Sequence, residues 1–307
     1  MLTLDAPEPA EGLRLVNQPA RFWGGTVSDL REVWQHRDLL RALTARELRS
    51  RYKGSSLGWA WALVRPLVML FVYGLAVGVF LGAGRSIPQF IIFIYAGLIA
   101  WGLFATIVTS SIGSVVSNGP LLTRASFPRL LLPLSVVAAA LVDFALQASV
   151  LLVGYLYVGD LPSPIDLLWV PRALVVLILT ALGVGLFFAA VNVYVRDTGF
   201  LVDVLLQVGF WMVPVIYSYG QVVRGVESLG WASETATRIY MLNPMTNVVL
   251  AFQRGLWPPA SSDAAAEFAF PGRLDLRLWI FTLVALVLAW LGMRVFVRLS
   301  GNFGQEL

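Results

Sequence analysis

The stretch ALVVLILTALGVGLFFAAVNVYV, from Ala173 to Val195, contains no charged side chain and decides the fold class of this chain. A helix needs roughly 20 mostly apolar residues to cross the hydrocarbon core of a bilayer. A helix also satisfies its own backbone hydrogen bonds, which no open strand or loop can do in lipid. The segment is therefore predicted to span a membrane.

Five further stretches have the same character, and 58% of the 307 residues are hydrophobic against only 13% that are charged. This composition leaves too little polar surface to cover a water-soluble protein of this length. The sequence predicts an all-α membrane protein with a single domain and six transmembrane helices. The other five spans are placed at Leu63 to Leu81, Gln89 to Ile112, Leu130 to Tyr157, Phe200 to Tyr219, and Leu278 to Val297.

Arginine and lysine orient these spans, because cytoplasmic flanks carry an excess of positive charge. Most of the flanking basic residues fall on one side of the six predicted spans, whereas the other side has few and a long loop of mixed charge. Residues 1–37 and 298–307 are thus expected to be cytoplasmic tails of a multi-pass protein of the plasma (inner) membrane. The basic residues on the predicted cytoplasmic side are Arg37, Arg41, Arg46, Arg49, Arg51, Lys53, Arg124, Arg129, Arg196, Arg294 and Arg298.

Two segments outside the spans also have helical patterns. Residues 38–53 place leucines on one side and basic residues on the other, which predicts an interfacial helix on the inner leaflet, although a solvated basic helix has the same pattern. The long outer loop from Gly220 to Arg277 contains an apolar middle, Ile239 to Trp257, that is too short to cross. We expect a pair of re-entrant helices there, broken at Asn243 and Pro244, that forms an extracellular cap.

The sequence lacks the motifs of several enzyme classes. There is no phosphate-binding loop, no metalloprotease motif and no serine-hydrolase elbow. With no cysteine and a single histidine, His36, no metal site is predicted. Asp143 is the one acidic residue well inside a span. It is either a packing residue or the proton-binding group of a proton-coupled carrier. Asp203 lies near the cytoplasmic end of the predicted fifth span.

Aromatic side chains in or near the spans are candidates for a sugar-conducting wall, since aromatic faces stack on sugar rings; packing or an interfacial belt is the alternative. The candidates are Tyr73, Trp101, Phe104, Phe210, Trp211 and Tyr217.

Three motifs, in this order, resemble those of the ABC-2 type permeases that export O-antigen, teichoic acid and related lipid-linked polysaccharides. The first runs from Arg46 to Trp61, RELRSRYKGSSLGWAW, and is followed by Arg65-Pro66-Leu67. The second is Val195-Arg196-Asp197-Thr198 with the later segment Phe210 to Tyr217, FWMVPVIY. The third is Leu242-Asn243-Pro244-Met245 with Phe252-Gln253-Arg254. Val213 departs from the small polar residue that many members carry before this proline.

The resemblance implies a homodimer that encloses a channel and docks on two copies of a separate ABC ATPase. ATP and Mg²⁺ would be bound by that ATPase, and this chain would bind no cofactor and catalyse no reaction. The loop around Leu121, Arg124, Phe127 and Arg129 would form the main coupling contact with the ATPase, and Arg196 and Asp197 would lie near a second one. The substrate entrance would include Arg49, Arg51, Lys53, Leu57 and Gly58, whose cations suit a polyprenyl diphosphate.

Three alternatives stay open at this stage: an ABC-2 permease for a drug or lipid, a proton-coupled carrier, and a membrane glycosyltransferase. Nucleic-acid binding is not expected, because the basic residues cluster beside hydrophobic spans. The sequence does not specify the glycan.

Overall fold

The structure is a computed structural model that describes residues 25–55, 58–124, 127–228, 230, 233–261 and 270–306. Within these residues the chain forms helices and short connections, and no strand is present. The all-α class predicted from the hydrophobic pattern is confirmed.

Five helical segments are long and apolar enough to cross a membrane, and each overlaps a predicted span. The first consists of a 3₁₀ turn, Gly58–Ala60, the helix α3 (Trp61–Tyr73), and π-helical turns over Gly74–Phe80. The fourth likewise starts with a 3₁₀ turn, Asp166–Leu168, before the helix α8 (Trp169–Tyr194). The helices themselves are α3 (Trp61–Tyr73), α5 (Phe90–Val116), α7 (Leu131–Val158), α8 (Trp169–Tyr194) and α13 (Leu274–Ser300).

The predicted fifth span, Phe200 to Tyr219, is not one continuous helix, so this prediction is wrong in its extent. Helix α9 covers Thr198–Trp211 and is followed by an irregular turn that contains Pro214. Proline offers no N–H to a helix and disfavours helical backbone at the residue before it. At 1.5 Å per residue, α9 is about 21 Å long, shorter than the roughly 30 Å of a hydrocarbon core.

Two helices lie before the first span. Helix α2, Arg37–Tyr52, agrees with the helix predicted for residues 38–53, and its Leu43 is buried. Helix α1, Thr26–Gln35, occupies part of the predicted tail, where no helix was expected; residues 1–24 lie outside the described part. An ion pair between the buried Arg294 and the partly buried Asp29, 2.7 Å from Nη2 to Oδ2, holds α1 against α13.

The loop before the last span contains three helices, α10 (Tyr219–Ser228), α11 (Ser233–Tyr240) and α12 (Pro244–Leu256). The remaining short helices are α4 (Ala83–Ser86), α6 (Gly119–Arg124) and α14 (Phe303–Glu306), and a 3₁₀ turn covers Pro258–Ser261. Nearly every residue of α12 is buried, and it packs against α5 and α8. It therefore belongs to the interior of the bundle.

Helix α8 lies at the centre of the bundle and packs most extensively against α13 and α5. Two glycines allow the closest approach: a Cβ at Gly183 would lie 2.6 Å from the Leu288 carbonyl carbon, and one at Gly292 would lie 2.1 Å from the Gly183 carbonyl oxygen. Small residues at such crossings let helix backbones come together in lipid, where packing replaces the hydrophobic effect as the driving force.

Candidate transport pathway and coupling surfaces

A polar cavity of about 670 Å³ enters the bundle between α3, α5 and α7. The end of α2 also contributes to its wall, through Arg51 and the following Ser55. Asp143 lines the cavity 12 residues after the start of α7, which is about 18 Å along a helix axis. The cavity thus extends from the α2 surface to near the middle of a transmembrane helix.

Arg51 and Asp143 form an ion pair in the wall of this cavity. Arg51 Nη1 lies 2.6 Å from Asp143 Oδ2, and the two side chains are only 18% and 10% exposed. Arg51 Nε also lies 3.3 Å from Glu47 Oε1, one turn earlier on α2. Arg51, predicted as an entrance residue, therefore points inward and ties α2 to α7, a contact that no sequence pattern indicates.

The other predicted entrance residues lie on or near the surface. Arg49 and Lys53 are exposed, one turn apart at the end of α2. Gly58 has a φ of 50°, a left-handed backbone that favours glycine and turns the chain into the first span. Leu57 lies outside the described residues.

The six aromatic candidates form one connected group. The rings of Tyr73 on α3 and Phe210 on α9 stack with their centroids 5.6 Å apart, and Trp101 on α5 lies 6.1 Å from Phe210. The Phe104 ring lies 5.5 Å from that of Trp101, and the Trp211 ring lies 5.7 Å from that of Phe210. The Tyr217 hydroxyl donates to the Trp211 carbonyl at 2.8 Å. Phe104 is buried, so it packs within the subunit, whereas Trp211 is 58% exposed.

Gln253 on α12 supports the break in the fifth apolar segment. Its side chain is fully buried, and its Nε2 donates to the carbonyl of Pro214 at 2.8 Å and lies 3.4 Å from that of Val215. Irregular backbone at membrane depth is tolerated where protein groups satisfy it. Gln253 stood in one of the sequence motifs, but the motif did not indicate this role.

The helix break at Asn243 and Pro244 is present between α11 and α12. The Asn243 side chain accepts a hydrogen bond from the Met245 N–H at 2.9 Å, and Pro244 occupies the first turn, so the pair begins α12. Asn247 Nδ2 donates back to the carbonyls of Met241 and Asn243. Two polar contacts tie the other end of α12 to its surroundings: Arg254 Nε is 3.7 Å from Asp166 Oδ1, and the Tyr155 hydroxyl donates to the Leu256 carbonyl.

The predicted coupling residues divide into a packed and an exposed set. Leu121 and Phe127 are half-buried against an apolar cluster at the end of the bundle where α7 begins. The Arg129 guanidinium lies 5.9 Å from the centre of the Phe303 ring, and burial lowers its pKa from the ordinary value. Arg196 and Asp197 are exposed where α8 turns into α9. Arg124 ends α6, but its side chain lies outside what the structure describes.

A second, smaller cavity of about 260 Å³ lies near the junction of α8 and α9. Arg196 and Asp203 are among its lining residues, together with Asn192, whose Nδ2 donates to the Ile112 carbonyl at 3.2 Å. Arg46 on α2 donates to the Asn118 side chain just after α5. The α2 helix is thus joined to the segment that was predicted to contact an ATPase.

A bundle of apolar helices with a polar cavity reaching toward its middle is the architecture of an integral membrane transport protein. Residues 38–255 match the family model of the ABC-2 type transporter, and the chain belongs to this family, which confirms the resemblance seen in the motifs.

Curated relatives have export or transport roles in their names. The chain is 30% identical to the O-antigen export system permease protein RfbA of Myxococcus xanthus over 91% of its length and 98% of the relative. It is 24% identical to the protein of the same name from Klebsiella pneumoniae, over 88% and 95%. It is 23% identical to the polysialic acid transport protein KpsM of Escherichia coli, over 74% and 84%.

Proposed function

We propose that this chain is the permease subunit of an ATP-driven exporter that moves a lipid-linked polysaccharide out of the cytoplasm. The observation that carries the proposal is the polar cavity beside the exposed cations Arg49 and Lys53, in a chain whose relatives are named as polysaccharide exporters. A diphosphate is strongly anionic and would bind these cations at headgroup depth. The glycan attached to it would then stand at the mouth of the cavity.

The assembly in this proposal is a homodimer bound to two copies of a separate ATPase, which would bind ATP and Mg²⁺. The exposed Arg196 and Asp197, together with the α6 segment, would contact the ATPase. The short helix α9 would supply the fifth of six crossings, with the irregular turn after it completing the passage inside the protein. Both termini would be cytoplasmic, as the distribution of arginine favours.

The proton-coupled carrier is less well supported by the geometry. Such a carrier needs a carboxylate that gains and loses a proton during transport, and Asp143 is the one acidic residue well inside a predicted span. Asp143 instead faces Arg51 at 2.6 Å, so its carboxylate is already engaged by a counter-charge from α2. A drug or neutral-lipid permease would share the fold but would not need Arg49 and Lys53.

The test is substrate-stimulated ATP hydrolysis by the complex of this chain with its partner ATPase. The double variant Arg49→Gln, Lys53→Gln should lose stimulation by the diphosphate-linked glycan while basal hydrolysis persists. Each lost charge-assisted contact is worth about 1.5 to 3 kcal/mol, so with both lost the concentration of glycan for half-stimulation should rise at least about a hundredfold.

A matched control removes the same number of charges from the other end of the same helix, as Arg37→Gln, Arg41→Gln. If the cations serve only to anchor α2 on anionic lipid, both double variants should lose activity alike. Full preference for the diphosphate form in the Arg49, Lys53 variant would contradict the proposed entrance.

A further inference from the structure

The cavity between α3, α5 and α7 has a polar lining to which the proposed diphosphate binding by Arg49 and Lys53 assigns no role. Its volume of about 670 Å³ falls in the range of roughly 300 to 1,000 Å³ of small-molecule sites. The wall lies within apolar transmembrane helices, yet much of it is polar. Polar groups inside membrane helices are costly and mark a water-filled pathway or a ligand site.

Hydrogen-bonding side chains without internal partners face this space. Thr106 and Ser110 on α5 and Gln147 on α7 line the cavity, and none of the three forms a side-chain hydrogen bond with the described part of the protein. Trp61 on α3 adds a ring that is 46% exposed. Hydroxyls, an amide and an aromatic face together match a sugar, which offers donors, acceptors and apolar ring faces.

The charges of the lining distinguish a sugar from a phosphate. Arg51 is already paired with Asp143, and its Nη2 is buried without a hydrogen-bond partner among the described residues. Arg65 is the other cation in the wall and has no ion pair within the described chain. A phosphate in this cavity would share the space with the Asp143 carboxylate, which repels it, whereas a sugar hydroxyl donates to a carboxylate and accepts from a guanidinium.

We propose that this cavity is a saccharide-binding site that holds the sugar residues next to the lipid carrier. The proposal rests on the proposed function, because it assigns the glycan part of the same substrate to a place of its own. Ser55 lines the cavity only two residues after Lys53, so a glycan whose diphosphate binds at the α2 surface enters the cavity directly. The site reads sugar chemistry, and the surface cations read the diphosphate.

The experiment measures binding of the sugar alone. The probe is the repeat-unit oligosaccharide freed of lipid and diphosphate, prepared from the surface polysaccharide of the cells that encode this chain. Calorimetry with the full-length permease in lipid nanodiscs should detect it. Gln147→Leu and the isosteric Thr106→Val should each weaken binding about three- to tenfold, because each leaves a sugar group unpaired.

The matched control is the Arg49→Gln, Lys53→Gln variant, which should bind the free oligosaccharide with wild-type affinity. Inorganic pyrophosphate, added alone, should not compete with the oligosaccharide. Unchanged affinity in both cavity variants, or competition by pyrophosphate that is lost in Arg65→Gln, would overturn the proposal, the latter in favour of an anion site.

The two proposals fail in different ways. If the lipid-linked glycan stimulates hydrolysis but the free oligosaccharide does not bind, the cavity proposal alone is wrong. If the lipid-linked glycan does not stimulate hydrolysis, the proposed export function is wrong, whatever the calorimetry shows.

Discussion

Arg51 and Asp143 hold opposite charges inside the bundle, at the scale of single residues. Charges at this depth are tolerated when they neutralise one another, as they do across 2.6 Å here. Removal of one partner leaves the other buried and uncompensated, whereas removal of both leaves neither. The pair also joins α2 to α7, so its loss should lower the stability of the whole bundle.

We expect Asp143→Leu to lower the free energy of unfolding by about 3 kcal/mol, the lower end for a broken buried pair, because Glu47 still faces Arg51. The double variant Arg51→Met, Asp143→Leu should recover most of this loss. The measurement is the temperature at which the purified protein loses its monodisperse elution peak. Asp203→Leu, which removes an exposed acid from α9, is the matched control; equal stability of Asp143→Leu and the wild type would contradict the prediction.

The irregular turn after α9 is the feature that matters most at the scale of elements. The backbone carbonyls of Pro214 and Val215 are freed from helical hydrogen bonds, and the buried Gln253 amide reaches them from α12. Gly97 on α5 leaves room for this turn, since a Cβ there would lie 2.9 Å from the Val215 oxygen. Three elements far apart in sequence therefore fix one turn, and through it the adjoining aromatic group.

Gln253→Leu should destabilise the protein by about 1 to 3 kcal/mol, because it leaves buried carbonyl groups unsatisfied without a large change in side-chain volume. Gln253→Glu should cost more, since it places a carboxylate against those carbonyls. Thermal inactivation of the purified permease measures both. Gln207→Leu, the same change at an exposed position of α9, should have little effect; a loss as large as that of Gln253→Leu would point to a general effect of lost amides.

The hydrophobic pattern located the five long helices to within a few residues at most ends, because length and apolar character alone determine whether a helix can cross lipid. It failed after Trp211 because apolar residues continue through the turn, and hydropathy does not separate a helix from buried irregular backbone. Pro214 was the available signal. The Arg51–Asp143 and Gln253–Pro214 contacts join residues 92 and 39 positions apart, and no local pattern predicts such pairs.

At the scale of the whole molecule, the first span and helix α9 have little cover from the rest of the described residues. Only 6% of the most apolar 18-residue window in Gly58–Phe80 is buried. Helix α9 exposes an aliphatic stripe at Leu201, Val204, Leu205 and Val208, and beside it the polar Asp203 and Gln207. Asp203 and Gln207 are unsuited to the hydrocarbon core and favour contact with water, headgroups or protein.

The proposed orientation can be tested on a chain that contains no native cysteine. Ser117→Cys and Asn302→Cys should react with a membrane-impermeant maleimide only after the cells are opened. Ile165→Cys, exposed between α7 and α8, should react in intact cells. Labelling of Ser117→Cys in intact cells would reverse the orientation inferred from the arginine distribution.

The proposed homodimer would bring α9 of two copies together. If two copies enclose a pathway bordered by the polar residues of α9, the neighbouring aliphatic stripe lies close to the twofold axis and meets its own counterpart. A single cysteine at Leu205 or Val208 should then form a disulfide-linked dimer in oxidised membranes. Leu283 on α13 is 66% exposed and equally apolar, but it is expected to face lipid, so Leu283→Cys is the matched control. Efficient cross-linking of Leu283→Cys with none at the α9 positions would place the dimer contact on α13 and remove α9 from the centre of the assembly.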